Sequence, residues 1–128
     1  MLNSTAETDT SFQLGSDIFT NEDRAYNYAK QLAERYKNQW NVIWILGGDR
    51  VSVPRNEEGV VTADYRPIWR AMAKAIQETF GEDVFIAYHA RGNTPSSTYL
   101  NEESWLSMHS LQSGHGSRWE KPWETIVS

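Results

Sequence analysis

The pattern of hydrophobic and polar positions divides the chain into helix-like and strand-like segments. Residues 1–20 are polar and rich in turn-forming residues, which predicts a loop or an upstream segment. From Asn21 to Asn38 the apolar residues recur at the i, i+3, i+4, i+7 spacing of an amphipathic helix. A second stripe of this kind predicts a helix from about Tyr65 to Phe80, with Asp64 as its N-cap and Gly81 as its stop.

An unbroken apolar run lies between the two predicted helices. Val42–Leu46 has no polar face, which predicts a parallel strand that is covered on both sides. Gly47 and Gly48 then allow a tight turn that leads to Asp49. Because ligands of α/β proteins bind at the carboxyl ends of parallel strands, this position favours a functional role for Asp49. The alternative is an N-cap or turn aspartate that satisfies backbone donors.

Two further strands are predicted, and polar residues follow each of them. Val84–Tyr88 is followed by His89, and the more mixed pattern of Trp105–Leu111 is followed by Gln112 to His115. The segment between them predicts a loop with at most one short helical turn. The order of elements indicates an α/β fold with about three βα units, and polar groups at the same end of three strands predict a cleft.

The amino-acid composition and net charge limit the kinds of molecule that the protein is expected to bind. The 128 residues carry a net charge of −5, and the basic residues are scattered singly. Nucleic acids and anionic membranes need concentrated positive charge, so we expect neither as a partner. The absence of cysteine excludes disulfides and thiolate metal sites. No apolar run approaches the roughly 20 residues of a membrane span.

Four motifs, in order along the chain, carry a resemblance to a known family. They are RYKNQWNVIWILGGDR (35–50), IWRAMAKAI (68–76), IAYHARG (86–92) and SWLSMHSLQSGHG (104–116). Through them the region from Ala25 to Ser128 resembles the apiosidase-like catalytic domain family of glycoside hydrolases, whose members are (β/α)8 barrels. The resemblance implies a partial TIM barrel in which residues 21–128 are the central part of the catalytic domain, truncated at both ends.

The resemblance also implies an activity. It suggests a secreted or periplasmic hydrolase that cleaves O-glycosidic bonds of plant or other complex polysaccharides without a cofactor, with apiose-containing pectic side chains as one substrate class. The family's GGD aspartate, one of two catalytic carboxylates, corresponds to Asp49. The second, a glutamate near a later strand, lies beyond the matching region.

Glycoside hydrolysis normally needs two carboxyl groups that flank the bond. The candidate glutamate partners of Asp49 lie in polar loops and are expected to be solvated surface: Glu57, Glu58, Glu102, Glu103 and Glu120. We therefore expect this segment to be inactive and poorly folded by itself. The alternative class is a non-catalytic carbohydrate-binding or degenerate hydrolase module, in which the same cleft binds a glycan without cleaving it.

The remaining polar residues at the strand ends are candidates for substrate binding. We predict that His89, Ser97, Gln112 and His115 donate or accept hydrogen bonds with sugar hydroxyls. A zinc site built from the three histidines is disfavoured, because the chain lacks HExxH spacing and His109 falls inside a predicted strand. Local capping of loops is the alternative role for these side chains.

Overall fold

The computed structural model describes residues 20–112. They form a mixed helix and strand structure with a small parallel sheet. The elements, in chain order, are α1 (Glu22–Tyr36), β1 (Trp44–Arg50), α2 (Arg66–Phe80), β2 (Ile86–Ala90) and α3 (Ser97–Leu100). Both long helices predicted from the apolar stripes are confirmed, and each lies within two residues of its predicted limits.

Helix α1 packs on α2 through small residues. Ala25, Ala29 and Ala33 recur at every fourth position and are completely or almost completely buried. Alanine has the highest helix propensity, and its short side chain allows the two helix backbones to approach closely. The side chain of Asn21 caps the helix by accepting a hydrogen bond of 3.0 Å from the backbone N–H of Arg24.

Helix α2 supplies more buried hydrophobic residues than any other described element. Its predicted stripe is confirmed, and Trp69 and Ile76 are only 1% exposed. The predicted N-cap is wrong, because the N-cap position is occupied by Tyr65 and not by Asp64. Asp64 instead accepts hydrogen bonds from the backbone and side chain of Arg66, which lowers the pKa of Asp64.

The sheet consists of β1 and β2 in parallel, with Trp44 opposite Ile86 and Leu46 opposite Tyr88. The even-numbered residues of these two pairs face the helices, and among them Leu46, Ile86 and Tyr88 are buried. On the other face, Ile45 of β1 and Ile43 just before it are 63% and 64% exposed. Of the cover predicted on both sides of this strand, residues 20–112 therefore supply one side only, where α1 and α2 pack.

The predicted strand over Trp105–Leu111 is also wrong. Within this segment only Met108 pairs with the sheet, through an isolated parallel bridge to Ala87. The backbone N–H of Ser107 donates to the Ile86 carbonyl at 2.8 Å, as in a strand. Serine side chains make the neighbouring bonds: the Ile86 N–H donates to Ser107 Oγ at 3.0 Å, and Ser110 Oγ donates to the Tyr88 carbonyl. Because serine competes for backbone hydrogen bonds, the segment runs along β2 without becoming a strand.

Glu103 departs from the prediction of a solvated side chain. Its carboxylate forms a bidentate ion pair with Arg70, with hydrogen bonds of 2.6–3.1 Å. It also accepts a hydrogen bond of 2.9 Å from the indole N–H of Trp105. The Glu103 side chain is only 9% exposed. Burial alone would raise the pKa of Glu103, but the hydrogen bonds from Arg70 and Trp105 outweigh it, and the pKa is lowered.

We expect Glu103→Gln to destabilise the fold by about 1–2 kcal/mol at neutral pH, because it removes a charged acceptor from Arg70 and from the buried indole of Trp105. The folded-state pKa of Glu103 lies below its ordinary value of 4.5, so this contribution is present above that pH and is lost as the pH falls through the folded-state value. Urea unfolding of the complete protein and of its Glu103→Gln variant at pH 7 and pH 3 measures the difference.

The matched control is Glu102→Gln, which changes the exposed neighbour of Glu103. It should leave the free energy of unfolding within about 0.5 kcal/mol of the original protein, as is usual for surface changes. Equal effects of the two substitutions would contradict a structural role of the Arg70–Glu103 pair.

Candidate active site

The carboxyl end of β1 contains a bulge. The register pairs Leu46↔Tyr88 and Arg50↔Ala90 are separated by Gly47, Gly48 and Asp49 on β1 but by His89 alone on β2. Strand β1 therefore carries three residues opposite one, and we call residues 47–49 the GGD bulge. Bulges are common next to active sites, where they re-aim a side chain.

All three residues of the GGD bulge have left-handed backbone conformations. The φ angles of Gly47, Gly48 and Asp49 are 97°, 65° and 69°. Glycine adopts this region without a steric penalty, whereas a residue with a Cβ adopts it rarely, although aspartate is several-fold enriched there. Asp49 is exposed. An exposed carboxylate on backbone of this kind, at the end of a parallel strand, is typical of a functional position.

Gly47 is required by the neighbouring strand. A Cβ at this position would lie 2.5 Å from the carbonyl oxygen of His89 and 2.8–2.9 Å from two ring carbons of Tyr88. These distances are shorter than real carbon contacts, so the backbone of β1 approaches β2 here only because the side chain is absent. Gly48 has no atom within 4 Å of the corresponding position.

His89 and Gln112 lie at the same edge of the sheet as Asp49. His89 is the residue opposite the GGD bulge, and strand alternation places it on the face of Ile45 and Ala87, away from the helices. The backbone carbonyl of Gln112 accepts a hydrogen bond of 2.8 Å from the N–H of Asn93, and Asn93 lies three residues after the end of β2. Asp49 and His89 thus lie across from each other on the two strands, and Gln112 is hydrogen-bonded to the loop that follows β2.

The other two predicted ligands are not brought there by the described residues. Ser97 is the first residue of α3 and lines a groove with Arg66 and Arg70 of α2, a groove that Asp49, His89 and Gln112 do not line. His115 lies outside residues 20–112, as do Ser113, Gly114 and Glu120.

Ser96 is a buried structural residue that sequence reasoning missed. It is 1% exposed, and its Oγ lies 3.2 Å from His109 Nδ1. Ser96 Oγ accepts a hydrogen bond of 2.9 Å from the Ser110 N–H, and the Ser96 N–H donates to the Ser110 carbonyl. These two bonds between Ser96 and Ser110 connect the loop after β2 to the segment that leads to Gln112. Its partners are 13 and 14 residues away, so no local pattern indicates it.

Residues 20–112 contain neither a metal-binding cluster nor a helix that could span a membrane. No group of three histidine, cysteine, aspartate or glutamate side chains in this range is arranged to hold a metal ion. Within the same range, no helix combines the length and apolar character that crossing a membrane requires.

The chain is similar to known glycoside hydrolases. Residues 4–128 match the family model described as apiosidase-like, catalytic domain. A glycoside hydrolase family 5 protein of Bacteroides vulgatus ATCC 8482 is 35% identical over 79% of this chain and 20% of its own, with a TM-score of 0.60. A second structure, described as a glycoside hydrolase, is 37% identical over 74% of this chain and 19% of its own, with a TM-score of 0.59. The similarity thus spans about a fifth of each structure, and no curated protein sequence matches the chain.

Substitution of the two glycines tests the packing of the GGD bulge. Gly48→Ala should cost about 1–2 kcal/mol, the usual penalty for a Cβ in the left-handed region. Gly47→Ala should cost roughly 1–3 kcal/mol more, because its Cβ also overlaps the Tyr88 ring and the His89 carbonyl. Equilibrium unfolding of the complete enzyme measures both losses of stability, and equal losses would contradict the close approach at Gly47.

Proposed function

The chain belongs to the apiosidase-like catalytic domain family, and we propose that it forms part of a glycoside hydrolase that cleaves O-glycosidic bonds of complex polysaccharides by general acid/base catalysis. The observation that carries the proposal is the placement of Asp49. It is an exposed carboxylate on left-handed backbone, at the carboxyl end of a parallel strand and across from His89.

The proposed architecture is a segment of a (β/α)8 barrel, with residues 21–128 as the central part of the catalytic domain. Three observations support it: β1 and β2 are parallel, α2 connects them, and both long helices pack on one face of the sheet. The opposite face exposes Ile43 and Ile45. In a closed barrel this face is the interior, where branched apolar side chains from the other strands would cover it.

Asp49 is proposed as one of the two catalytic carboxyl groups. A glycosidase needs one group to protonate the leaving oxygen and another to act as a nucleophile or to activate water. Of the glutamates considered as partners, Glu103 is paired with Arg70, while Glu57, Glu58 and Glu102 are exposed. We therefore propose that the second carboxylate comes from outside residues 20–112.

His89 and Gln112 are proposed to bind the sugar. His89 lies opposite the GGD bulge, where an imidazole can exchange hydrogen bonds with hydroxyl groups of a ring held at Asp49. The backbone carbonyl of Gln112 is hydrogen-bonded to Asn93 in the loop after β2, which supports a position for Gln112 near the carboxyl end of β2. The predicted roles of Ser97 and His115 stay predictions.

Replacement of Asp49 by Asn in the complete enzyme should lower kcat/KM by about 10²–10⁴-fold, the usual contribution of a general acid or base. Asparagine tolerates the left-handed backbone and keeps the size of the side chain, so the fold should persist. The assay is release of reducing sugar from a panel of pectic oligosaccharides that includes apiose-containing side chains.

Glu58→Gln is the control, because it neutralises an exposed carboxylate in the turn between Asn56 and Val60. It should leave activity unchanged. Near-normal turnover by Asp49→Asn would contradict the assignment of Asp49. Binding of the oligosaccharides without cleavage, by the original protein as well, would favour the carbohydrate-binding alternative.

His89→Ala should raise KM roughly three- to tenfold, as expected for the loss of a hydrogen bond to the substrate. His109→Ala is the matched control: His109 is exposed and its Nδ1 faces Ser96. Steady-state kinetics on the same oligosaccharides measures both variants. A His89→Ala enzyme with an unchanged KM would remove His89 from the proposed sugar site.

A further inference from the structure

Tyr88 contacts both ends of the GGD bulge. At the start of the bulge, the Tyr88 ring occupies the space where Gly47 has no side chain, with ring carbons 2.8 and 2.9 Å from the ideal Cβ position. Immediately after the bulge, the Tyr88 hydroxyl donates a hydrogen bond of 3.0 Å to the carbonyl of Arg50. Only Gly48 and Asp49 lie between these two contacts.

Tyr88 is itself firmly held. It is 1% exposed, and its ring meets Trp69 of α2 edge-on, with centroids 5.5 Å apart and an interplanar angle of 67°. Its carbonyl accepts a hydrogen bond from the side chain of Ser110. The ring and the hydroxyl therefore act on the bulge from a fixed position in the core.

The bulge needs such support because it has left the regular ladder. Between Leu46 and Arg50, no residue of β1 is in register with β2, and each φ angle is positive. Backbone of this kind persists only when its surroundings determine it. Burial raises the pKa of Tyr88, so its hydroxyl stays protonated and keeps donating to Arg50 at ordinary pH.

We propose that Tyr88 is a positioning residue that holds Asp49 at the carboxyl end of β1, by packing under Gly47 and by hydrogen bonding to the Arg50 carbonyl. The proposal rests on the role assigned to Asp49 under Proposed function. Tyr88 is buried and acts on the reaction only through the backbone of the bulge. It therefore fixes the position of the Asp49 carboxyl group. Reaction rates are sensitive to a displacement of a catalytic group by about 1 Å.

Tyr88→Phe in the complete enzyme tests this arrangement, because phenylalanine keeps the ring against Gly47 and removes the hydroxyl that donates to the Arg50 carbonyl. We expect kcat to fall about tenfold or more while KM changes little, since a misplaced acid lowers transition-state stabilisation and not uniform binding. Hydrogen exchange of residues 46–51, followed by mass spectrometry, should become faster.

Tyr26→Phe is the matched control. It also removes a tyrosine hydroxyl that donates a hydrogen bond, in this case to Glu78, but the bond links α1 to α2. Both kcat and the exchange of residues 46–51 should stay at their original values. If Tyr26→Phe changes them as much as Tyr88→Phe does, the effect is general loosening and the proposal is overturned.

The exchange measurement keeps the two proposals distinguishable. Faster exchange in Tyr88→Phe together with an active Asp49→Asn enzyme would leave Tyr88 as the support of the bulge and remove only the acid role. Unchanged exchange and unchanged kcat in Tyr88→Phe would overturn the positioning role. If Tyr88→Phe does not fold, a crystal structure of the original complete enzyme decides: a Tyr88 hydroxyl bonded to the Arg50 carbonyl supports the proposal, and one bonded elsewhere overturns it.

Discussion

The arrangement at the carboxyl end of the sheet depends on one close approach, that of the β1 backbone to the Tyr88 ring and the His89 carbonyl. A Cβ at Gly47 would lie 2.5 Å from that carbonyl, so the strands can meet there only through a glycine. Once the approach is made, the regular register cannot continue, and three residues of β1 pass opposite one residue of β2. The position of Asp49 therefore follows from packing beneath it.

The core explains why that packing is rigid. Small residues of α1 let it approach α2, and α2 places Trp69 against Tyr88. The aromatic pair fills the layer between helix and sheet, so the Tyr88 ring cannot yield to a bulkier neighbour at position 47 without disturbing the helix behind it. Stability of the core and placement of the site are consequences of the same contacts.

Sequence patterns predicted the parts of the structure that local rules control. The stripes of α1 and α2 have helical spacing over four turns, and both helices form where they were expected. The strand ends were misplaced because Asp49 and His89 lie within β1 and β2, and a bulge has no period-2 signature. The pair of Glu103 and Arg70 joins residues 33 apart, so Glu103 resembled an ordinary surface acid. In Trp105–Leu111, the side chains of Ser107 and Ser110 form hydrogen bonds with the backbone of β2, and the spacing of apolar residues does not predict such bonds.

The two faces of the sheet have different roles in this arrangement. The helix-facing side carries Leu46, Ile86 and Tyr88 and supports the bulge, whereas the other side carries Ile45, Ala87 and His89. Because alternation assigns His89 to the second face, a ligand held between His89 and Asp49 would lie over the open side of the sheet. In the proposed barrel, a second carboxylate that acts on such a ligand would approach from that side. Strands that cover Ile43 and Ile45 would have their carboxyl ends at the correct edge to supply it.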